Sequence, residues 1–212
     1  MTVTGFTFNA FSENTYVLHD ETNQCVIIDP GCYSVSEQTV LKEFIADNNL
    51  QVKLLLNTHC HIDHVFGNKF VVDTYQVPFL IHEADLQTLR AVPVYAPSYG
   101  FPNYNPAEPS GFLQEGKNIS FGNTSLQVLF TPGHAPGHVV FYQEESKVCL
   151  GGDVLFQRSI GRTDLPGGNF DTLIQSIQNK LFTLPSEVTV YPGHGPKTTI
   201  GEEKQFNPFL RA

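Results

Sequence analysis

Most histidines of this 212-residue chain, together with Asp63 and Asp153, lie at four points, and each point follows a segment with the pattern of a β-strand. The clusters contain five of the eight histidines. They read Thr58-His59-Cys60-His61-Ile62-Asp63-His64, Pro132-Gly133-His134, Gly151-Gly152-Asp153 and Pro192-Gly193-His194. Loops at strand ends are where folds assemble functional side chains that are distant in sequence. The chain therefore needs a fold in which these strands end at one edge.

Together the clusters offer seven nitrogen and oxygen ligands, a number that suits two metal ions sharing a bridging ligand. Imidazole and carboxylate without thiolate are typical of Zn²⁺, with Fe²⁺ or Mn²⁺ as alternatives. A single His-x-His could consist of two core histidines, but four ligand-type residues within six positions favour a metal site. We therefore expect two divalent ions, with zinc as the first choice.

Spacing divides the ligands between the two ions. His59 and His61 point to the same side of an extended segment, whereas Asp63 and His64 begin the next helix and face a neighbouring position. The predicted ligands of the first ion are His59, His61 and His134, those of the second are Asp63, His64 and His194, and Asp153 is the bridge. Each ion then keeps an open position for water, as catalytic sites require.

Five further residues have alternative explanations. His138 begins a strand, which fits a supporting role beside the ligands or a place at the substrate. His19 and His82 lack partner spacing and fit surface or capping positions. Asp29 stands in Asp-Pro-Gly, which turn chemistry already explains. The side chain of Cys60 should point away from the metals and pack in the core.

Composition limits the partners of the protein. A net charge of -9 with only 12 Lys and Arg provides no basic face for a nucleic acid. The four cysteines show no CxxC spacing and are too few for a disulfide scaffold. Neither a leader-like N-terminus nor an apolar run of 18 residues is present, so we expect a cytoplasmic protein without a membrane partner. The oligomeric state stays open.

Periodicity predicts an α+β fold in one domain of residues 1–212, with two sheets packed face to face and helices outside. The segment from Val92 to Phe112, rich in proline and tyrosine, is predicted to be a long surface excursion that walls a pocket. The predicted strands are 2–9, 14–19, 24–29, 52–56, 78–81, 118–121, 125–130, 138–143, 147–151 and 188–191, and the predicted helices are 34–48, from after Asp63 to about 75, 84–90 and 170–182.

The motifs THCHIDH, TPGHAPGH, GGDVLF, GRTD and YPGHG resemble those of the metallo-β-lactamase fold superfamily. Within it, the chain is similar to the glyoxalase II (hydroxyacylglutathione hydrolase) group, in particular to short bacterial members that end in an Asn-Pro-Phe-Leu tail, here residues 207–210. The resemblance implies an αββα sandwich of two mixed sheets and the ligand assignment given above. It also implies a small thioester substrate, with glutathione as one possible thiol.

Two departures concern glutathione. Longer glyoxalase II proteins carry a C-terminal helical domain with basic residues for the glutathione carboxylates, which this sequence lacks. They also place a tyrosine two positions after a basic residue, where this chain has Arg162 and then Asp164. GRTD and Cys60 also resemble persulfide dioxygenases, which use a single iron. That group tends to have cysteine at the position of His138, so the hydrolase is favoured. A non-catalytic metal-binding protein is the third alternative.

The predicted reaction is thioester hydrolysis by metal-bound hydroxide, since a divalent metal lowers the pKa of water towards neutrality. The ion held by His59, His61 and His134 would polarise the carbonyl oxygen. A thiol with a pKa of about 8.5 can leave as thiolate without a general acid. Asp63 and Asp153 are the predicted catalytic carboxylates, with Asp63 orienting the hydroxide. Arg162 is predicted to bind a substrate carboxylate.

Overall fold

Two six-stranded sheets pack face to face with helices on both outer faces in the computed structural model of the chain, which describes residues 1–210. The first sheet contains β1 (Thr2–Phe8), β2 (Glu13–His19), β3 (Gln24–Ile28), β4 (Gln51–Leu56), β5 (Phe79–His82) and β6 (Gly111–Leu113), in that order. The second contains β7 (Asn118–Phe121), β8 (Thr124–Phe130), β9 (Val139–Gln143), β10 (Val148–Gly152), β13 (Thr189–Pro192) and β14 (Thr198–Thr199). A small hairpin comprises β11 (Leu155–Phe156) and β12 (Ser159–Ile160).

Both sheets are mixed. In the first sheet, β1 to β3 form an antiparallel meander, and β3 to β6 run parallel to one another. In the second, β13 runs parallel to β10 and the remaining pairs are antiparallel. The predicted α+β sandwich with helices outside is confirmed.

Within residues 1–210, six α-helices cover or connect the sheets: α1 (Val35–Asp47), α2 (Ile62–Val65), α3 (Asn68–Tyr75), α4 (Leu86–Tyr95), α5 (Phe170–Asn179) and α6 (Ile200–Phe206). The start of α1 is fixed by a capping box. The Ser34 hydroxyl accepts a hydrogen bond from the Glu37 amide at 3.3 Å, and the Glu37 carboxylate accepts one from the Ser34 amide at 2.8 Å. Among the described residues, no helix combines the length and the apolar character needed to cross a membrane.

Alternation along the strands builds the layers. On β3, Val26 and Ile28 pack between the sheets, whereas Cys25 and Ile27 pack under the outer helices. On β10, Leu150 faces the sheet interface in the same way. Because successive side chains point to opposite faces, a one-residue slip would move each set into the layer packed by the other and disrupt both. Full burial of such a side chain contributes about 1.5 to 3 kcal/mol, which holds the register of these strands.

The helix predicted over 84–90 begins with a 3₁₀ turn at Glu83–Asp85 and runs on as α4 to Tyr95. Burial of Leu89 and Val92 outweighs the proline at position 93, which faces solvent. The excursion therefore starts as helix and continues in a 3₁₀ turn at Ala96–Tyr99. Sequence patterns also missed the short strands β6 and β14 and the helix α6, since each is too short to show a period.

Candidate metal centre

The seven predicted ligands meet at one edge of the sandwich. They lie on the segments that follow β4, β8, β10 and β13, with Asp63 and His64 in the short helix α2. The ligand-type atoms of His59, His61 and His134 lie within 4.8 Å of one another, and so do those of a second set. That second set consists of Asp63, His64 and His194. The structure thus brings together the same two groups of three that the sequence spacing suggests.

Asp153 lies between the two sets. Its Oδ2 atom is 3.6 Å from His134 Nε2 and 3.5 Å from His194 Nε2. Its Oδ1 atom is 3.6 Å from His64 Nε2. The carboxylate is only 8% exposed and contacts ligands of both groups, which is the position that a bridging ligand occupies.

Unpaired atoms test whether these residues fit metal ions. His64 Nε2 and Asp153 Oδ1 are buried and have no hydrogen-bond partner. Leaving such a group unsatisfied costs about 1 to 3 kcal/mol, so a native site normally supplies a partner. Imidazole nitrogens of the first set also face one another, with His134 Nε2 at 3.2 Å from His59 Nε2 and 2.9 Å from His61 Nδ1. Divalent cations with nitrogen and oxygen preferences fit both groups.

Backbone carbonyls orient two of the histidines. His134 Nδ1 donates to the carbonyl of Arg162 at 2.8 Å, and His194 Nδ1 donates to the carbonyl of Phe11 at 3.1 Å. A hydrogen bond at one ring nitrogen fixes the tautomer and presents the other nitrogen to a metal. Nε2 is therefore the nitrogen that both rings offer to the site.

Asp29 has a larger role than its turn sequence indicates. Its buried carboxylate accepts hydrogen bonds from the backbone amide of Thr58 at 2.7 Å and from the Thr58 hydroxyl at 2.6 Å. It also accepts one from Asn57 at 3.2 Å and lies 3.1 Å from His64 Nδ1. Asp29 thus holds both the start of the ligand loop and the ring of His64. Ligand-type atoms of Asp29, His59 and His64 also lie within 4.8 Å of one another. We do not assign a metal site to this group, because both oxygens of Asp29 already accept hydrogen bonds.

Electrostatics differ between the two sets. Burial, together with the neighbouring imidazoles, lowers the pKa of His59 well below its usual value and that of His61 to about 3. Burial also opposes a charge on His64, but Asp63 and Asp153 outweigh it and raise the pKa of His64. His59 and His61 are therefore neutral imidazoles, whereas the carboxylates around His64 favour positive charge there.

His138 does not lie where a substrate could reach it, contrary to one of the two roles suggested for it. The side chain is fully buried, Nε2 accepts a hydrogen bond from the Asp153 amide at 3.0 Å, and Nδ1 lies 3.1 Å from the Thr131 hydroxyl. Its contacts fit the supporting role, since it fixes the backbone of Asp153. His82 caps the turn that precedes α4 by accepting from the amide of Ala84 at 3.3 Å.

A cavity of about 940 Å³ opens onto the ligands. One wall comes from α4 and the turn after it, and the other from the loop that follows Asp153, which includes Arg162. The guanidinium of Arg162 already donates two hydrogen bonds to Asp164, at 2.7 and 2.8 Å. Tyr95 and Tyr99, which belong to the predicted excursion from Val92 to Phe112, also line the cavity.

Comparison with known sequences gives matches along nearly the whole chain. A family model for the metallo-beta-lactamase superfamily matches residues 9–194. "Hydroxyacylglutathione hydrolase GloC" of Haemophilus influenzae is 39% identical over 205 residues, which cover 96% of this chain and 95% of the relative. "Probable metallo-hydrolase YqgX" of Bacillus subtilis is 37% identical over 198 residues, covering 93% and 92% of the two chains.

Solved structures give the same fold. BLEG-1, described as a B3 metallo-beta-lactamase, superposes with a TM-score of 0.91 at 36% identity and full coverage of both chains. TTHA1623 in a di-iron-bound form gives 0.88 at 38% identity, covering 98% of this chain and 100% of that one. ETHE1 from Myxococcus xanthus gives 0.80 at 28% identity, covering 98% and 84%.

Proposed function

Since the chain belongs to the metallo-beta-lactamase superfamily of metal-dependent hydrolases, we propose that it hydrolyses thioesters of the hydroxyacylglutathione type with two divalent cations, zinc in the first instance. His59, His61 and His134 would hold one ion, Asp63, His64 and His194 would hold the other, and Asp153 would be the residue shared by the two sets. The observation that carries the proposal is the unpartnered carboxylate oxygen of Asp153, buried between two complete sets of three ligand-type residues. The GloC relative supports the choice of thioester.

When bound, two divalent cations at such a centre lower the pKa of water and act as Lewis acids towards a carbonyl oxygen. Asp63 lines the cavity, and although burial opposes its charge, His64 and His194 lower its pKa. Its ionised carboxylate accepts a hydrogen bond from the attacking water and so orients it. A thiol with a pKa of about 8.5 leaves as thiolate, so none of the chain's side chains has to act as a general acid.

Arg162 has a proposed role in substrate binding, because it lines the cavity and its carbonyl orients His134. A bidentate guanidinium is well suited to a carboxylate. Its bonds to Asp164 mean that a substrate carboxylate must compete with that side chain. The substrate is a small molecule. Nucleic acid is not a proposed partner, given a net charge of -9, and a cytoplasmic location stays a prediction of the sequence.

The test combines metal analysis with two assays on protein purified without added metal. We expect about two metal equivalents per chain, with zinc or iron identified by elemental analysis, and release of free thiol from S-lactoylglutathione. A β-lactam belongs in the same panel because BLEG-1 is described as a metallo-beta-lactamase. Two bound metals without turnover of any thioester would refute the proposed activity.

A persulfide dioxygenase is the second candidate, supported by the GRTD motif and Cys60, which resemble those of that group. One iron held by a single ligand set would suffice for it. Here a complete second set lies beside the first, which favours the dinuclear hydrolase. Oxygen uptake with glutathione persulfide, together with one iron per chain, would support the dioxygenase instead.

A further inference from the structure

We propose that the cavity selects thioesters by an apolar acyl group rather than by the charges of the thiol part. This inference rests on the thioester hydrolysis proposed above. The wall from α4 and the turn after it presents Ala91, Tyr95 and Tyr99 to the cavity. The opposite wall presents Phe156, Ile160 and Leu165. A substrate that reaches the ligands between these walls exchanges water for hydrocarbon and aromatic surface, which favours an apolar group.

Charge leads to the same conclusion. Apart from the residues assigned to the metals, Arg162 is the one charged residue among the described residues that line the cavity. Glutathione carries two carboxylates, and the single guanidinium is already bonded to Asp164. The walls therefore offer little to distinguish a glutathione thioester from a thioester of an uncharged thiol.

The size of the cavity allows acyl chains of several carbons to bind. The cavity of about 940 Å³ is near the upper end of the range of roughly 300 to 1,000 Å³ for small-molecule sites. Each buried methylene favours binding by up to about fourfold. Lengthening an acyl chain between these walls should therefore raise kcat/KM over several methylenes.

The experiment compares thioesters of one uncharged thiol, N-acetylcysteamine, with acetyl, butanoyl and hexanoyl groups. We expect kcat/KM to rise at least tenfold from acetyl to hexanoyl. The lactoyl thioesters of glutathione and N-acetylcysteamine should differ by less than about threefold. Flat chain-length dependence, or a preference for the glutathione thioester above tenfold, would overturn the inference. Failure to hydrolyse any thioester would instead refute the proposed function.

A cavity variant checks that the wall is responsible. Ala91→Phe fills space on the α4 wall and should lower the ratio of hexanoyl to acetyl kcat/KM at least fivefold. Ala46→Phe is the matched control, because Ala46 is an exposed residue of α1 and does not line the cavity. The same fall in both variants would contradict a role for this wall.

Independently of any substrate, the geometry assigns Asp85 as a positioning residue for the metal centre. Its carboxylate is fully buried and joins two ligand loops through their backbone amides. Oδ2 accepts from the amide of Cys60, between His59 and His61, at 2.6 Å. Oδ1 accepts from the amide of Gly137, on the loop that carries His134, at 2.8 Å.

Close packing at Gly137 supports this role. A Cβ atom on Gly137 would lie 2.4 Å from the backbone nitrogen of Asp85, so the loop fits against the start of α4 only with glycine there. The neighbouring His138 in turn holds the amide of Asp153. Asp85 therefore sets the distance between the loop of His59 and His61 and the loop of His134. Through His138 it also affects the position of Asp153.

The test is Asp85→Asn, which keeps the shape but turns an amide donor towards one of the two N–H groups. The matched control is Asp20→Asn. Asp20 is also buried and joins two loops, accepting from the amides of Thr22 at 3.0 Å and Asn123 at 2.7 Å. Asp20 comes directly after the last residue of β2. The first residue of that strand, Glu13, pairs through its backbone with the ligand His194, so Asp20 is at the end of β2 away from the metal centre.

We expect both variants to lower the melting temperature of the metal-free protein, but only Asp85→Asn to weaken metal affinity, by about tenfold to a hundredfold in chelator competition. Asp85→Glu keeps both acceptor oxygens and should give an intermediate affinity, and it serves if Asp85→Asn does not fold. The assignment would be overturned if Asp85→Asn, or Asp85→Glu in its place, bound metal as tightly as Asp20→Asn.

Discussion

At the scale of single residues, the site depends on atoms that the protein leaves without partners. His64 donates or accepts nothing at Nε2, although Asp29 holds its other nitrogen. Asp153 likewise has a free Oδ1 while its amide is held by His138. Each ligand is thus fixed on one side and open on the side that faces the other ligands, which is the arrangement that preorganises a metal site.

Asp153→Ala removes the carboxylate that lies between the two ligand sets, so we predict a fall from about two metal equivalents to fewer than one. Thioesterase activity should drop roughly a hundredfold or more, since changes outside the ligands already cost 10-fold to 100-fold. His82→Ala is the control, because His82 caps a turn and lies outside the ligand sets. Equal metal loss in both variants, or two equivalents in Asp153→Ala, would contradict the bridge.

Acidification should release the second ion before the first. Protons compete with metals for imidazole nitrogen, so a ligand with a raised pKa loses its metal at a higher pH. The pKa of His61 is lowered to about 3 by burial and by His134. That of His64 is raised because Asp63 and Asp153 outweigh its burial. Between pH 7.5 and pH 5.5, chelator competition should show a larger loss of affinity for the ion of the second set, which contains His64, than for the ion of the first. An equal loss of affinity for the two ions would contradict the assignment.

At the scale of elements, strand ends with glycines make room for the ligands. Gly193 follows directly on β13, and a Cβ there would lie 2.2 Å from Asp153 Oδ1 and 2.6 Å from a ring carbon of His64. Its amide donates to the carbonyl of Gly152 at 2.8 Å, which joins the ends of β13 and β10. The glycine is thus required by close approach between two ligand-bearing loops.

Gly193→Ala should therefore displace Asp153 and His64 without altering any ligand. We predict a loss of activity of about a hundredfold, the size expected when catalytic groups shift by about 1 Å. Gly201→Ala, in α6, is the control, since the three atoms nearest to its Cβ would all belong to Ser186, the nearest at 3.0 Å, and none to an assigned ligand. Activity near normal in Gly193→Ala would show that the loops can accommodate a methyl group.

At the scale of the whole molecule, the centre joins the two sheets. His59, His61, Asp63 and His64 follow a strand of the first sheet, whereas His134, Asp153 and His194 follow strands of the second. Ions shared by these ligands would cross-link the two halves of the sandwich. Metal binding is then coupled to the stability of the complete fold rather than to one loop.

Metal removal should accordingly lower the melting temperature in a single transition, as expected for one domain. At a free metal concentration a hundred times Kd, each ion adds about 2.7 kcal/mol to the free energy of unfolding. For a chain of this size that corresponds to a rise in melting temperature of roughly 5 to 10 °C. Calorimetry with and without a chelator measures the change. Two separate transitions would contradict a single cooperative unit, and an unchanged melting temperature would contradict metal-coupled stability.

Much of the fold followed from local pattern. The apolar run from Cys25 to Ile28, ended by Asp29 and Pro30, is enough to predict β3, and the helical spacing of apolar residues predicts α1 to within a residue of its ends. The end of α4 could not be predicted in this way, because Val92 is held by tertiary burial that outweighs the following proline. The short strand β14 has too few residues to show a period and is recognisable only by its pairing with β13.

The chain by itself determined which side chains carry the chemistry, because ligand type and spacing are local properties of motifs such as His59 to His64. Only the tertiary structure decided the roles of Asp29, Asp85 and His138. These residues act through hydrogen bonds to loops that are distant in sequence, and nothing in their local sequence distinguishes such a bond from a turn or a cap. The apolar walls of the cavity were likewise decided by packing, since Tyr95 and Ile160 both line it although they are distant in sequence.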